Sequence, residues 1–284
     1  MLVRPSSSLI RLKSVEKQVE FLYGDMKNGD SLQAAVEKSR PQVVFHLAST
    51  RLSPPTITAE EHLSVNVMGT QKLLEALKDS PGVKFIYTGS IAAYGAGSQL
   101  KEDGALFPGT MLGASKACAS VLIKAYSELN GMDTTELRLC TPFGPWESPG
   151  RLIPHVILSA MDGQDLPMSK GDQERDFVYM ADVIDALILC LSRSATAGRV
   201  FNIGSGVGVP VKTVARRVLE LMNTPSKLLL GALETRSDEI MEMSADISVA
   251  KEQLDWQPTT SLDEGLRKSI AWYADNRELA FQLQ

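Results

Sequence analysis

The chain has 284 residues, 44% of them hydrophobic and 22% charged, with a formal net charge of −5. That length buries a sizeable core in one or two domains, and the acidic balance leaves no basic excess for phosphate backbones, which argues against nucleic acid as the main partner. The longest apolar run, Val183–Leu191, is interrupted by Asp185, and residues 1–10 hold no secretory core, so neither a membrane span nor export is expected.

The chain opens on MLVRPSSS (1–8), which reads as a short strand ending at Arg4 with the hydroxyls of Ser6, Ser7 and Ser8 behind it. VEFLYGD (19–25) reads as the next strand, followed by a helix over Asp30–Ser39. QVVFHLAS (42–49) is a strand, Glu60–Asp79 a helix, and VKFIYTGS (83–90) a strand running straight into a turn. Met111–Asn130 is a helix closed by Asn130-Gly131, and TTELRLCTPFG (134–144) is a further strand. Strands this apolar, separated by helices, imply a parallel sheet covered on both faces. The expected fold is therefore α/β, a doubly wound, Rossmann-like parallel sheet. Its ligands belong at the carboxyl ends of the strands, where Asp25, Ala48, Ser49, Ser90 and Thr141 fall. Beyond about residue 150 the rhythm changes to mixed elements punctuated by Pro and Gly. The division expected is residues 1–150 as a dinucleotide-binding unit and residues 151–284 as a smaller substrate-binding lobe interleaved with it.

Cys118, Cys140 and Cys190 lie in apolar stretches without CxxC or zinc spacing. They read as reduced core thiols of a cytoplasmic protein, and no metal site is expected.

A dinucleotide-binding sheet ordinarily opens with a strand, a Gly-rich turn and a helix whose N-terminus holds the pyrophosphate. No stretch here fits: GSGVGV (204–209) comes late and lacks a third glycine in its place, and YGAGS (94–98) fails the spacing. The first strand and its turn are therefore read as absent, MLVRPSSS as a second strand, and a native start upstream of Met1 is expected. The basic, hydroxylated turn at Arg4 either suits the 2′-phosphate of NADP or is a solvated chain end.

Several blocks now fall into one order: YGD (23–25), VVFHLAS (43–49), SVNVMGTQKLLEA (64–76), FIYTGSIAAYG (85–95), GASKA (113–117), LRLCTPFGP (137–145), GDQERDFVYMADV (171–183), FNIGSG (201–206) and LDWQPTTSLDEGL (254–266). In order and spacing the chain resembles the extended short-chain dehydrogenase/reductases, the NAD(P)-dependent epimerase/dehydratase group acting on nucleotide sugars. The resemblance implies NAD or NADP as cofactor, NADP slightly favoured by Arg4, and a nucleotide-sugar substrate. It implies hydride transfer at a sugar carbon by an epimerase, dehydratase or 4-keto reductase, and a homodimer through helices 60–79 and 111–130. By the same resemblance Asp25 would take the adenine amino group with Met26 beside the ring. Ala48 and Ser49 would line the central cofactor, and Thr141 to Phe143 would flank the nicotinamide. Ser90 would bond the reacting sugar oxygen and Lys116 the nicotinamide ribose. Asn66 would hold a strand–helix junction, and Arg175 and Arg236 would meet the substrate's phosphates.

Each assignment has a plainer rival. Asp25 can cap a helix, Arg175 can pair with Asp176 on the surface, and Arg236 can be solvated. His46 and His62 read as structural.

One position departs from the pattern. In MLGASKACAS (111–120) the tyrosine that resemblance places four residues before Lys116 is Leu112. Three explanations stay open: another group substitutes, with Tyr94 nearest in sequence and then Lys116 or water; the reaction needs no strong acid there; or the site binds without turnover. The competing class is a non-catalytic sugar-nucleotide or cofactor-binding protein on the same fold.

Overall fold

The computed structural model describes residues 1–50, 57–192 and 196–283. Strands in chain order are β1 (Leu2–Val3), β2 (Leu22–Tyr23), β3 (Val43–His46), β4 (Lys84–Ser90), β5 (Gly97–Leu100), β6 (Asp133–Leu139), β7 (Thr141–Phe143), β8 (Leu166–Met168), β9 (Glu174–Tyr179), β10 (Arg199–Ile203), β11 (Gly208–Pro210), β12 (Leu228–Leu230) and β13 (Met243–Ala245). Helices are α1 (Gly29–Ser39), α2 (Ala59–His62), α3 (Gly69–Leu77), α4 (Met111–Asn130), α5 (Leu152–Met161), α6 (Met180–Ser192), α7 (Val211–Met222), α8 (Leu262–Asp275) and α9 (Arg277–Phe281).

The main sheet is parallel, in the order β10-β6-β4-β3. Alternation along β4 sends successive side chains to opposite faces. Phe85 and Tyr87 pack with Leu32 of α1, Leu74 of α3 and Ile123 of α4, whereas Ile86 packs with Val183 and Leu187 of α6 and with Phe201 of β10. Helices thus cover both faces, as the apolar strands require. β10 and α6 come from beyond residue 150 yet complete this sheet. A second core joins α5, α7 and α8 over β7 and β9, with Ile157, Val218, Leu266 and Tyr273 around Phe143 and Phe177.

β1 and β2 pair with each other in parallel as a separate ribbon. Among the described residues neither β1 nor β2 pairs with β3, which forms the edge of the main sheet with Val43 and Phe45 exposed.

Helix α4 runs over the residues expected because both ends are capped. The Thr110 side chain accepts from Gly113 N, and Gly131 takes the left-handed conformation at φ 66°. The expected helix 60–79 is a composite, since α2 passes through a π-helical stretch, Leu63–Met68, into α3. Two strand readings are corrected. Residues 19–25 contribute only Leu22–Tyr23, because β1 pairs just two residues there. Residues 134–144 break at Cys140: its N–H donates to Ile203 O, and β7 then leaves the main sheet to pair with β9.

Candidate functional site

Because the main strands are parallel, the residues after their carboxyl ends share one edge of the sheet. Ala48 and Ser49 follow β3, Ser90 ends β4 in register with Leu139, and Thr141 follows β6. At the neighbouring ends of β1, β2 and β3 lies a cleft of about 520 Å³, walled by Arg4, Ser7, Asp25, Met26, Ala48 and Ser49 among others. Six residues that the sequence assigned to a cofactor or its approach thus meet in one place. Ser90, Lys116, Thr141 and Phe143 are not among its walls and lie further along the same edge.

Asp25 serves locally as well: its Oδ1 accepts from Lys27 N at 2.8 Å, and its own N–H donates to Ser31 Oγ. Met26 lines the cleft beside Asp25 and at the same time packs into the core with Leu32 and Leu73. Lys27 and Glu61 form an ion pair of 2.9 Å at the cleft wall.

Ser90 Oγ accepts from Ala92 N at 3.2 Å and so shapes the 91–93 turn. Gly113 lets α4 close on that turn, since a Cβ there would lie 2.4 Å from Ala92 O. This close approach brings the helix start, with Leu112 and Lys116 one turn apart on one face, against the strand end bearing Ser90. Lys116 Nζ donates to Thr88 O at 2.8 Å and sits 4.9 Å above the Tyr87 ring. Burial lowers its pKa to about 8, with the Glu136 charge opposing.

Asn66 fixes the same helix start. Its Oδ1 accepts from Thr50 N at 2.9 Å, and its Nδ2 donates to Ser115 Oγ at 2.9 Å, which in turn donates to Leu112 O. His46 is buried with its pKa lowered to about 3 by desolvation, and its Nε2 meets Thr70 Oγ1 at 2.8 Å, an uncharged structural histidine.

Tyr94 stands elsewhere. Its hydroxyl donates to Asn202 Oδ1 at 2.9 Å, the Arg138 guanidinium lies 4.7 Å above its ring, and burial raises its pKa to about 12. A phenol so held is a poor proton donor near neutrality. Arg175 forms no pair with Asp176. Asp176 is buried and accepts from the N–H groups of Ser205, Gly206 and Ala245, while Arg175 and Arg236 converge on Glu239.

Sequence reasoning missed two groups. Glu136 and Arg138 form a buried ion pair (4% and 5% exposed side chains, 3.2 Å) that also engages Ser120. Their signal was two opposite charges two apart in an apolar strand, hence on one face. Glu147, in the Trp146–Arg151 loop, pairs with Arg151 at 3.1 Å while its Oε2 is buried without a partner. Burial raises the Glu147 carboxyl from 4.5 to about 6. The folded chain therefore holds this proton more tightly than the unfolded chain. Its contribution is intact below pH about 4.5 and is lost as pH rises through about 6, a decline of about 2 kcal/mol. Chemical denaturation at pH 4.5 and 7 should show Glu147→Gln escaping that decline; equal declines in the two proteins would contradict it.

A doubly wound sheet with its cleft at the strands' carboxyl ends defines the Rossmann-like α/β class. Within it, the chain belongs to the NAD dependent epimerase/dehydratase family, whose sequence model matches residues 4–204. It is 30% identical over 261 residues to the low-salt glycan biosynthesis protein Agl12 of Haloferax volcanii, covering 91% of this chain and 83% of that protein. The dTDP-glucose 4,6-dehydratase of Bacillus anthracis, solved in complex with NAD, is similar in fold at a TM-score of 0.88 and 24% identity, over 98% of this chain and 88% of that one. The UDP-glucuronic acid 4-epimerase of Bacillus cereus, solved with UDP-glucuronic acid and NAD, gives 0.84 and 25% over 96% and 88%. No helix among the described residues is long and apolar enough to cross a membrane.

Proposed function

We propose that the chain is an NAD(P)-dependent enzyme that moves hydride at a carbon of a nucleotide sugar, as an epimerase, dehydratase or 4-keto reductase, with Lys116 handling the proton in place of the phenol that Leu112 does not supply. The observation that carries this reading is the closure of α4 on the Ser90 turn at Gly113. It holds an ammonium of pKa about 8 beside the strand end whose serine can polarise a sugar oxygen. A group titrating near the working pH is suited to both giving and taking a proton. Ser90 donates to the sugar oxygen, Lys116 moves the proton and fixes the ribose, and Thr141 bounds the reacting face, with Phe143 buried behind it in the second core rather than flanking the nicotinamide. Residues 151–284 serve mainly as the substrate lobe, with Arg175 and Arg236 receiving the diphosphate.

The cleft fits the adenosine end of a nicotinamide cofactor, which supplies or accepts the hydride when bound. Asp25 offers a carboxylate to the amino group, and Arg4 with Ser7 offers a cation and a hydroxyl beside the ribose. Among the described residues no glycine-rich turn opens a helix toward the pyrophosphate. The Arg4 side favours a 2′-phosphate, hence NADP. Exposed Met111, Val121 and Leu129 on α4, with Leu63 and Met68 beside α3, support a homodimer through these helices. Cys140 and Cys190 are buried as expected, whereas Cys118 is corrected from a core thiol to an exposed one on α4; the free thiols support a reducing, cytoplasmic setting.

Fluorescence titration tests this directly: NADPH should saturate and bind at least about tenfold tighter than NADH, and Arg4→Glu should erase that margin. No saturable signal from either would overturn the oxidoreductase reading. Leu112 itself favours one alternative, a sugar-nucleotide-binding protein without turnover. That alternative predicts saturable binding with no NADPH consumption on any nucleotide 4-keto sugar.

A further inference from the structure

Arg175 and Arg236 are already engaged by a single carboxylate. Glu239 Oε1 accepts from Arg175 Nη2, and its Oε2 accepts from Arg236 Nε at 3.2 Å and lies 3.1 Å from Arg236 Nη2. The Arg175 and Glu239 side chains are only 15% and 12% exposed, whereas Arg236 is 61% exposed. The other arm of Arg175 is committed to backbone: Nη1 donates to Glu174 O at 2.7 Å and to Ile240 O at 2.6 Å. The guanidinium is thereby held in place, and its Nη2 arm, which a ligand would use, is the one Glu239 covers.

The segment carrying Glu239 is pinned on both sides. Leu233 N donates to Met168 O at 3.1 Å, and Glu174 N donates to Met241 O at 2.7 Å, after which β13 pairs with β5. Between these anchors residues 234–239 are largely exposed, with Arg236 and Glu239 bonded to each other across one turn. Guanidinium forks donate to carboxylate and phosphate oxygens in the same geometry.

We propose that Glu239 is an internal stand-in for the substrate's diphosphate, a latch that an anionic ligand must displace from Arg175 and Arg236 before it binds. This rests on the function proposed above, in which those arginines receive the diphosphate. Glu239 then sets a threshold: it keeps the two cations paired and ordered in the free protein and weakens every anionic ligand that competes for them. Displacement frees the 234–239 segment, so ligand entry and opening of this strap are one event.

Calorimetric titration of the full chain with UDP tests the latch, using wild type, Glu239→Gln, Glu239→Ala and the double variant E239Q/R236Q. Both single variants should bind UDP at least about tenfold tighter than wild type, and the double variant should lose that gain. A purely structural role for Glu239 lowers the melting temperature without tightening binding. If the single variants bind no tighter while the double variant binds more weakly than E239Q, the latch is overturned and the arginine assignment stands. If adding R236Q to E239Q changes nothing, the arginine assignment fails and takes the latch with it. Absence of binding by every protein, with UDP and then with dTDP, overturns both.

Discussion

Replacing Lys116 by methionine is expected to lower turnover by roughly 10²–10⁴-fold, the range that a positioned acid or base contributes. Methionine keeps the length and apolar stem of the side chain, so α4 should still close on the Ser90 turn through Gly113. The sign of the pH dependence follows from the direction of reaction. Reduction of a keto sugar needs the protonated ammonium, so its rate should fall as pH rises through about 8; oxidation of a hydroxyl needs the free amine and should rise across the same interval. Leu112→Tyr should raise turnover at least about tenfold by returning a phenol to the helix face one turn from Lys116. Steady-state rates of the variants on a nucleotide 4-keto sugar with NADPH check both. A Lys116→Met protein as fast as wild type would remove Lys116 from the chemistry.

Arg138→Met should cost about 3–5 kcal/mol of stability by urea denaturation, because it strands the Glu136 carboxylate in the core. Arg138 also donates to Ser120 Oγ at 2.9 Å and covers the Tyr94 ring, so its removal loosens three elements at once. The double variant E136Q/R138M should recover most of the loss, since an unpaired buried charge is the larger penalty. A loss below about 1 kcal/mol in Arg138→Met would mean that water reaches Glu136 freely.

Local chemistry made much of this molecule readable. Helix α4 was bounded correctly because Thr110 and the Asn130-Gly131 step are written into the chain at its two ends. The parallel sheet followed from strands too apolar to face water, and the cleft from the rule that ligands gather where parallel strands end. The short readings failed where a partner, not the segment, decides. Residues 19–25 have the composition of a longer strand, yet β1 offers only two residues to pair with. Cys140 still bonds to Ile203 of the main sheet, and the strand divides beyond it because β7 finds its partner in β9, far along the chain. The roles of Tyr94 and Arg175 were hidden for the same reason. Asn202 lies 108 residues from Tyr94, and Glu239 lies 64 residues from Arg175, separations at which no local pattern speaks.

The placement of β10 carries a consequence for how the chain acquires its shape. The strand beside β6 is Arg199–Ile203, so the edge of the main sheet is finished only by residues that follow β7, α5, β9 and α6. Loop-closure entropy must be met across that whole interval before the pairing rewards it, which places this fold among the slower folders. On the ribosome, the first half therefore waits, with the β6 edge and the α6 side of the sheet bare, until residues 180–203 have emerged.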